Sequence, residues 1–358
     1  MKLEAVRGFA ALYVVVHHAR PLTGSLAVVT SFGQEAVILF FLLSGFVVYY
    51  SSFAGRSRFD LSRYLNHRFR RIYPLFLIAL AVSYLCSCLV RHALLPVSGW
   101  QLAGNLALLQ DVASLKPGVW VQPVGGDAPL WSLSYEWWFY VLFIPISLGV
   151  AGRVDLQRYL VFIMSLAAAL VYQMVPNEPC LILAYLVIWW TGVEFAREYA
   201  RSGRVTFRGQ LSTIALLGAI AATWALPVVV RHGHGHLQPG VYPLLPLRHF
   251  GMALTAAGAG VLWSRVRFVG FRFVLGPFAL VAPISYGLYI IHYPILTLLE
   301  PLTILPALRL ALLLAVAVPL AWVMECCLQP RLNVFFDRLL PDPKTPVPAR
   351  LVEATAEA

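Results

Sequence analysis

Long apolar runs constrain the fold of this chain more than any other feature of its sequence. The clearest are residues 36–50, 72–90, 211–230 and 308–323. Together they hold a single charged residue, Arg309. A helix needs about 20 mostly apolar residues to cross the hydrocarbon core of a bilayer. Only 12% of the whole chain is charged, roughly half the share found in an average soluble domain. The sequence therefore predicts an all-α bundle of membrane-spanning helices.

We expect about ten spans, with both chain termini in the cytoplasm. The predicted spans are 5–22, 34–52, 72–92, 131–149, 159–175, 180–198, 210–230, 246–264, 275–298 and 306–327. Placed in this way, 21 of the 27 lysines and arginines lie on the cytoplasmic side. An excess of basic residues on that side is typical of inner-membrane proteins. The net charge of +11 therefore reflects topology, and we expect membrane lipids rather than nucleic acid around the protein.

The chain divides into a predicted transmembrane domain, residues 1–338, and a tail, residues 339–358. The tail is rich in proline and alanine, and we expect it to be disordered in the cytoplasm. An outer loop carries His232, His234 and His236, which alternate with glycine. Histidine is a common metal ligand. No acidic or thiol partner lies nearby, so we favour a flexible polar loop and predict no metal site.

The first apolar segment contains "RGFAALYVVVHH", residues 7–18. On a helix, Arg7 and His18 differ by about 20° in direction and about 16 Å along the axis. His17 points about 80° away from Arg7, so His18 is the residue that shares a face with Arg7. Arg7 then lies near the cytoplasmic surface and His18 deep in the membrane, where an ionisable side chain normally faces a bundle interior. We predict His18 as a catalytic base. Two alternatives stay open: an interfacial anchor for Arg7, and a neutral carbonyl-bonded histidine for His18.

A basic cluster, "NHRFRRIYP", occupies residues 66–74 at the predicted cytoplasmic start of the third span. Arg68 and Arg71 are three residues apart and share one helix face. The arginine fork suits phosphate groups, so these two residues, together with Arg7, are candidates for binding a phosphorylated donor. The alternative is a topology signal that contacts anionic lipid.

An isolated carboxylate lies in "PLWSLSYEWWFYVLFIP", residues 129–145, where the chain re-enters the membrane from outside. Glu136 needs a hydrogen-bonding or charged partner at such a position, and Tyr140 lies one helical turn further on. We predict Glu136 as a catalytic residue and Tyr140 as support for the substrate site. The alternative is a glutamate that faces the outer headgroups.

A polar stripe runs through "ISYGLYIIHYP", residues 284–294, where Ser285, Tyr289 and His292 step by four and three residues. We predict Ser285 and Tyr289 as support for the substrate site and His292 as a catalytic partner. With the predicted span directions, His292 lies at the same outer depth as His18 and Glu136, while the arginines gather on the cytoplasmic side. Histidine is the usual base for a hydroxyl near neutral pH. This polarity indicates a donor held from inside and an acceptor hydroxyl activated from outside.

Five blocks of the sequence, in order, resemble the membrane-bound acyltransferase 3 family. They are "LEAVRGFAALYVVVHH", "FFLLSGFVV", "RRIYP", "LWSLSYEWWFYVLF" and "SYGLYIIHYP". The family includes O-acetyltransferases of bacterial surface polysaccharides and Nod factors. The resemblance covers residues 3 to about 330 and includes the family's arginine and histidine separated by ten residues, here Arg7 and His18.

This resemblance implies a multi-pass enzyme of the bacterial inner membrane. The enzyme would move an acyl group, commonly acetyl from acetyl-CoA, to a hydroxyl of a glycan or lipid-linked saccharide. Acyl-CoA would be a co-substrate, with no tightly bound cofactor. The family's essential pair falls on Arg7 and His18, its acidic position on Glu136, its basic position on Arg71, and a recurrent histidine on His292. Trp137–Trp138 replace the Glu-Gln of many members, which leaves the class of acceptor open.

Two other functions fit a membrane protein with buried ionisable residues. A proton-coupled transporter would also need them, but the sequence shows no repeat between its halves. A non-catalytic scaffold of a polysaccharide export complex would tolerate loss of His18. Acetyl-CoA turnover separates the enzyme from both.

Overall fold

The computed structural model describes residues 2–53, 59–150, 152–232 and 238–339. About 81% of the structure is helical, and the described residues contain no β-strand. The α-helices are α1 Lys2–Ala19, α2 Gly33–Phe53, α3 Leu61–Arg91, α4 Gly99–Leu106, α5 Trp131–Gly149, α6 Val154–Met174, α7 Glu178–Ser202, α8 Phe207–His232, α9 Leu244–Arg265, α10 Phe271–Val274, α11 Ser285–Leu299, α12 Pro306–Trp322 and α13 Gln329–Leu339. The predicted all-α fold is confirmed.

Short helical segments of other types connect or extend these helices. The 3₁₀ segments are Gly24–Thr30, Val124–Gly126, Ala128–Leu130, Gly276–Leu280 and Ala282–Ile284. A π-helical turn, Val323–Leu328, joins α12 to α13. Such turns are rare and are frequently found at functional sites.

Seven helical stretches of the described chain are long and apolar enough to cross a membrane. They are Gly24–Phe53, Leu61–Arg91, Val154–Met174, Glu178–Ser202, Phe207–Val230, Ala282–Leu299 and Pro306–Arg338. The other three predicted spans, 5–22, 131–149 and 246–264, overlap α1, α5 and α9. A multi-pass membrane protein is confirmed, and the number ten stays a prediction. The predicted tail lies outside the described residues beyond Leu339, as do His234 and His236.

Glycines allow α2 and α7 to pack in close backbone contact. A Cβ atom on Gly45 would lie 1.9 Å from the carbonyl oxygen of Trp189, and one on Gly192 would lie 2.0 Å from that of Leu42. Small residues of this kind let membrane helices approach closely. As a result Ser44, beside Gly45, lies within hydrogen-bonding reach of the Trp189 indole.

A third glycine brings α1 against the segment that precedes α11. A Cβ atom on Gly8 would lie 2.0 Å from the carbonyl oxygen of Phe278. This contact places the Arg7 side of α1 beside Ala282, and the far end of α1 beside the middle of α11. The packing of these two helices therefore determines which residues of α1 and α11 meet.

The structure differs from the predicted span boundaries in two places. Helix α3 begins at Leu61, eleven residues before the predicted 72, because Asp60 caps it by accepting a hydrogen bond from the Arg63 backbone N–H at 3.2 Å. The arginines of "RFRR" therefore lie within the same helix as the predicted third span. In the predicted span 275–298, the part before Ser285 is largely 3₁₀ and only the remainder is α-helical.

The connection between α4 and α5 is held to the bundle by a buried ion pair. The ammonium of Lys116 lies 2.7 Å from the Asp111 carboxylate, and both side chains are almost fully buried. Tyr135 donates a hydrogen bond to the same carboxylate at 2.8 Å, and Lys116 lies 3.9 Å above the ring centre of Trp131. These contacts fix the start of α5, which carries Glu136.

Candidate functional site

Two histidines from opposite ends of the chain meet in the helix bundle. Nε2 of His292, on α11, lies 3.1 Å from Nδ1 of His18, on α1, and the ring centres are 5.1 Å apart. His292 is fully buried, whereas His18 is partly exposed. The structure thus brings together two of the three predicted catalytic residues, which we call the histidine pair.

Backbone carbonyls determine which nitrogen of each histidine carries the proton. Nδ1 of His292 lies 2.6 Å from the carbonyl oxygen of Tyr289, to which only an N–H can donate. In a neutral ring, Nε2 of His292 is then an acceptor. Nδ1 of His18, which also lies 3.0 Å from the Val14 carbonyl oxygen, must therefore be the donor between the rings. This assignment leaves Nε2 of His18 with a free lone pair and no hydrogen-bond partner among the described residues.

The neighbouring histidine, His17, has a different environment. Its Nδ1 lies 2.7 Å from the carbonyl oxygen of Thr30, and its ring lies so close to Gly33 that a Cβ atom there would be only 2.2 Å away. His17 is therefore fixed between α1 and the start of α2. It makes packing and backbone contacts, while His18 faces His292.

Glu136 belongs to a second polar cluster, separate from the histidine pair. The Tyr140 hydroxyl donates to its carboxylate at 2.5 Å and also lies 3.1 Å from the Ser44 hydroxyl. The Trp189 indole N–H donates to Ser44 at 3.1 Å. Among the described residues, no hydrogen bond joins Glu136 to His18 or His292. The sequence predicts Glu136 at the same depth as the two histidines, but its carboxylate bonds to Tyr140 on its own helix.

The sequence interpretation missed Ser44 as a member of this cluster. It is the only hydroxyl residue in the apolar block "FFLLSGFVV", and that isolation was a usable signal. Its partners lie on α5 and α7, and their convergence depends on helix packing that sequence spacing does not reveal.

The predicted donor-binding arginines, Arg7, Arg68 and Arg71, form what we call the arginine group. Arg7 donates to the carbonyl oxygen of Ala282 at 3.1 Å and interacts electrostatically with Arg71. Arg68 donates to the Ser51 hydroxyl at 3.2 Å, and its guanidinium lies 5.5 Å from the ring centre of Tyr140. Tyr140 therefore links this group to Glu136.

Two nitrogens of the arginine group are buried without a partner. Nε of Arg7 and Nε of Arg68 have no hydrogen-bond acceptor among the described residues. A buried charged donor without an acceptor is costly, and an anion bound at this place would provide one. The arginine group thus contains charged donors of the type that suits the oxygens of an anion.

Arg71 has a carboxylate partner that the sequence interpretation did not identify. Its Nη1 lies 2.7 Å from Oε2 of Glu325, on the π-helical turn, and its Nη2 lies 3.4 Å from Oε1. The Gly287 backbone N–H donates to Oε1 at 2.9 Å. Glu325 is the only acidic residue between Glu300 and Asp337, which was a signal for a functional or paired carboxylate.

The two predicted support residues on α11 hold helices together. The Ser285 hydroxyl donates to the carbonyl oxygen of Ala282 at 2.8 Å, the same oxygen that Arg7 binds. The Tyr289 hydroxyl donates to the Pro129 carbonyl oxygen at 2.8 Å and lies 2.7 Å from the Ser132 hydroxyl. Both side chains are buried, so they connect α11 to α1 and to the start of α5. Their role towards substrate stays a prediction.

Two cavities lie near opposite ends of α3. One, of about 90 Å³, lies beside Tyr64 and Arg68 near the start of the helix. Another, of about 320 Å³, lies beside Tyr84, Ser87 and Arg91 at its end. At a rise of about 1.5 Å per residue, the two cavities are roughly 30 Å apart. That distance is about the thickness of the hydrocarbon core of a bilayer.

The wall of the larger cavity is tied to α3 and leads towards the histidine pair. Gly125 has a positive φ of 68°, and a Cβ atom there would lie 2.5 Å from the Ser83 backbone. Asp127 accepts a hydrogen bond from the Ser83 hydroxyl at 2.6 Å and is almost fully buried. Burial raises the pKa of the Asp127 carboxyl to about 7, against the opposing effect of the Ser83 hydroxyl. Pro129, two residues after Asp127, accepts a hydrogen bond from the Tyr289 hydroxyl. The carbonyl oxygen of Tyr289 in turn orients His292.

Comparisons with known proteins show the family of this chain. The profile of a family described as "Acyltransferase domain" matches residues 2–326. The acyltransferase MdmB of Streptomyces mycarofaciens is 30% identical over 183 residues, which are 47% of this chain and 44% of the relative. Protein 2 in the picA locus of Rhizobium radiobacter is 38% identical over 84 residues, 22% of this chain and 41% of the relative. The matches thus span less than half the length of either curated relative. No solved structure matches the chain.

Proposed function

This chain belongs to the acyltransferase 3 family and is a membrane acyltransferase, and we propose that it transfers an acetyl group from acetyl-CoA to a hydroxyl of an exported or cell-surface glycan. The acceptor is a glycan or a lipid-linked saccharide. The protein works in a bacterial inner membrane, with about ten spans and both termini in the cytoplasm. Acetyl-CoA is a co-substrate rather than a bound cofactor.

The observation that carries this proposal is the contact of His18 Nδ1 with His292 Nε2 at 3.1 Å, because the tautomers assigned from it leave a free lone pair on Nε2 of His18. In the proposed reaction, the acceptor hydroxyl gives its proton to this nitrogen while its oxygen attacks the thioester carbonyl carbon. The carbon–sulfur bond then breaks, and the proton passes from His18 to the departing sulfur of CoA. The products are an ester and free CoA. A well-placed general base typically contributes about 10²- to 10⁴-fold to the rate.

His292 orients this base and is not itself the base. When His18 accepts a proton, its Nδ1–H keeps its hydrogen bond to Nε2 of His292, 3.1 Å away, and the positive charge is shared with that acceptor. The Tyr289 carbonyl holds His292 in the tautomer that makes this possible. The logic is that of a catalytic triad, in which a third group fixes the tautomer of the histidine base.

The donor binds on the cytoplasmic side through the arginine group. CoA carries several phosphate oxygens, and the unpartnered Nε atoms of Arg7 and Arg68 are donors that such oxygens would satisfy. Arg7 and His18 lie on one helix about 16 Å apart. An extended pantetheine arm spans this distance, so its thioester reaches the histidine pair while the phosphates stay with the arginines.

The acceptor approaches from the other side of the membrane. The cavity of about 320 Å³ at the far end of α3 is large enough for a sugar ring, and its wall leads through Asp127 and Pro129 to Tyr289 and the histidine pair. This path supports a two-sided reaction, with donor and acceptor meeting at His18. Trp137–Trp138 lie on α5, which also carries Glu136, and contribute to the choice of acceptor.

Sealed membrane vesicles of both orientations test the proposal. Labelled acetyl-CoA supplied to inside-out vesicles, which expose the cytoplasmic face, should label glycan, and free CoA should appear in step. Right-side-out vesicles should give no label. A proton-coupled transporter would leave acetyl-CoA intact in both, and so would a scaffold protein. Intact acetyl-CoA in inside-out vesicles that contain acceptor would overturn the proposed function.

A further inference from the structure

The π-helical turn Val323–Leu328 places one carboxylate at the junction of three helices. Glu325 lies on this turn between α12 and α13, contacts Arg71 on α3, and accepts the Gly287 N–H at the first turn of α11. Its side chain is only about 4% exposed. A buried charge in such a position requires a partner, and Arg71 is that partner.

The neighbourhood of Gly287 shows how closely this carboxylate is enclosed. A Cβ atom on Gly287 would lie 3.0 Å from Cγ of Glu325 and 3.1 Å from the Ala321 carbonyl oxygen. A larger residue at 287 would push the glutamate away from α11. The backbone N–H of Gly287 fixes one carboxylate oxygen at 2.9 Å, so the other is directed at Nη1 of Arg71, 2.7 Å away.

Arg71 is restrained on two sides. Glu325 binds its two terminal nitrogens, and the ring centre of Tyr286 lies 5.0 Å from its guanidinium carbon. Tyr286 is itself fixed by a 2.9 Å hydrogen bond from its hydroxyl to the Ile72 carbonyl oxygen. The side chain of Arg71 is nevertheless 37% exposed, so this residue is not completely enclosed by the bundle.

Charge balance gives a reason for this restraint. Arg7 and Arg71 repel each other, and Glu325 attracts both. Without the carboxylate, two neighbouring guanidinium groups in a largely apolar bundle would separate, because like charges interact more strongly where water is scarce. Their spacing would then no longer match one group of phosphate oxygens.

We propose that Glu325 is a positioning residue for the donor: it holds Arg71 beside Arg7 so that the arginine group has one fixed geometry for the phosphates of acyl-CoA. This inference rests on the proposed function, because it assumes that the ligand is acyl-CoA. Glu325 does not touch the reacting atoms, which lie at the histidine pair. Its loss therefore affects donor binding more than the chemical step.

Steady-state kinetics with purified protein and acetyl-CoA separate these effects. Glu325→Gln keeps an oxygen for the Gly287 N–H but removes the charge that Arg71 needs. We expect the KM for acetyl-CoA to rise about 10- to 100-fold, the factor for one lost charge-assisted hydrogen bond, with kcat changed less than threefold. Glu325→Asp keeps the charge on a side chain one methylene shorter and should raise KM about threefold. Glu300→Gln, the same exchange at an exposed glutamate on the C-terminal side of α11, is the matched control and should change neither parameter.

Coupling with Arg71 distinguishes positioning from a purely structural role. If Glu325 acts through Arg71, adding Glu325→Gln to Arg71→Lys should raise KM less than twofold beyond the Arg71→Lys value. If Glu325 had only a structural role, Glu325→Gln would lower the amount of active protein and kcat but leave the KM of the folded fraction unchanged. That result would overturn the inference. If Glu325→Gln fails to accumulate, the KM of Glu325→Asp for acetyl-CoA is measured instead. An unchanged KM in that variant would also overturn the inference. Wild-type protein that turns over no acetyl-CoA would instead refute the proposed function itself.

Discussion

The histidine pair lies on α1 and α11 and the arginine group on α1 and α3, and the bundle treats these two groups differently. His18 and His292 bond to each other and to backbone carbonyls, without a carboxylate partner among the described residues. The arginine group lies beside carboxylates: Arg71 is paired with Glu325, and Arg68 stacks over the tyrosine that binds Glu136. The histidine pair can therefore take up a proton, whereas the arginine group carries a permanent positive charge.

This difference shows how a membrane bundle can separate two parts of one reaction. A neutral histidine pair is inexpensive to bury and keeps a lone pair available for a hydroxyl. Guanidinium groups cannot become neutral, so they need counter-charges before the donor arrives. Changes at the histidine pair should therefore affect the chemical step, and changes at the arginine group should affect donor binding.

The largest effect among four single-site tests is expected at His292. His292→Ala removes the acceptor for Nδ1–H of His18 and leaves only the Val14 carbonyl to hold the tautomer, so we expect kcat to fall about 100-fold, the upper range for loss of an orienting partner. His292→Gln offers a side-chain oxygen at a similar distance from the backbone, so its kcat should be about tenfold higher than that of His292→Ala. The KM for acetyl-CoA should stay within twofold in both. A large KM change with kcat intact would place His292 in donor binding and exclude it as the partner of the base.

The next effect is expected at Arg71. Arg71→Lys keeps the charge but loses the planar fork that can bind Glu325 and a phosphate together, and we expect the KM for acetyl-CoA to rise about tenfold with kcat within threefold. Arg70→Lys is the matched control, because Arg70 is adjacent in sequence and pairs with Asp337 instead. Equal KM values for the two variants would show that Arg71 is only a topology anchor.

A smaller effect is expected at Ser44, where the Glu136 cluster can be weakened without removing a charge. Ser44→Ala deletes the hydroxyl that joins the Trp189 indole to Tyr140. One such hydrogen bond corresponds to about 1 kcal/mol, so kcat/KM should fall about fivefold. Ser31→Ala, which removes an exposed hydroxyl, is the control. Unchanged kcat/KM in Ser44→Ala would show that the orientation of Tyr140 and Glu136 is set elsewhere.

The smallest effect is a dependence of stability on pH at Asp127. Its pKa is raised to about 7 in the folded protein, so folding favours the protonated carboxyl. The stability that this form contributes is present at low pH and is lost as pH rises towards and through 7. Asp127→Asn cannot ionise, so its advantage in melting temperature over wild type should be larger at pH 8 than at pH 5 by roughly 2–4 °C. Asp155→Asn, at a largely exposed side chain, should show no such difference, and an equal advantage of Asp127→Asn at both pH values would contradict the assignment.

Sequence reasoning reached the parts of the site that lie within one helix. The shared face of Arg7 and His18 follows from helical geometry, and the pairing of Glu136 with Tyr140 is a contact between residues four apart. The start of α3 was predicted too late, because the charged residues 63–71 masked a helix that Asp60 already caps. In each case the deciding interaction is local, so it was available in the sequence.

Contacts between helices that are far apart in sequence could not be predicted from the sequence. Glu325 is 254 residues from Arg71, and His292 is 274 from His18. Matching depths correctly associated His18 with His292 but also suggested Glu136, which lies in its own cluster. Depth restricts position along the membrane normal only. Which helices are neighbours depends on close backbone contacts such as that of Gly8 with Phe278, and these cannot be derived from one sequence.

The role of His18 Nε2 as the base for acyl transfer is tested most directly with the two adjacent histidines. Acetyl transfer should be measured in membranes with His18→Ala and His17→Ala at matched protein levels. We expect no detectable transfer for His18→Ala and a milder loss for His17→Ala, since the Nδ1 of His17 is engaged by the Thr30 carbonyl and its ring packs against the start of α2 and the His18 ring. Near-normal transfer by His18→Ala would exclude His18 as the base: if His17→Ala were inactive, the base would be His17, and if both variants were active, it would lie outside α1.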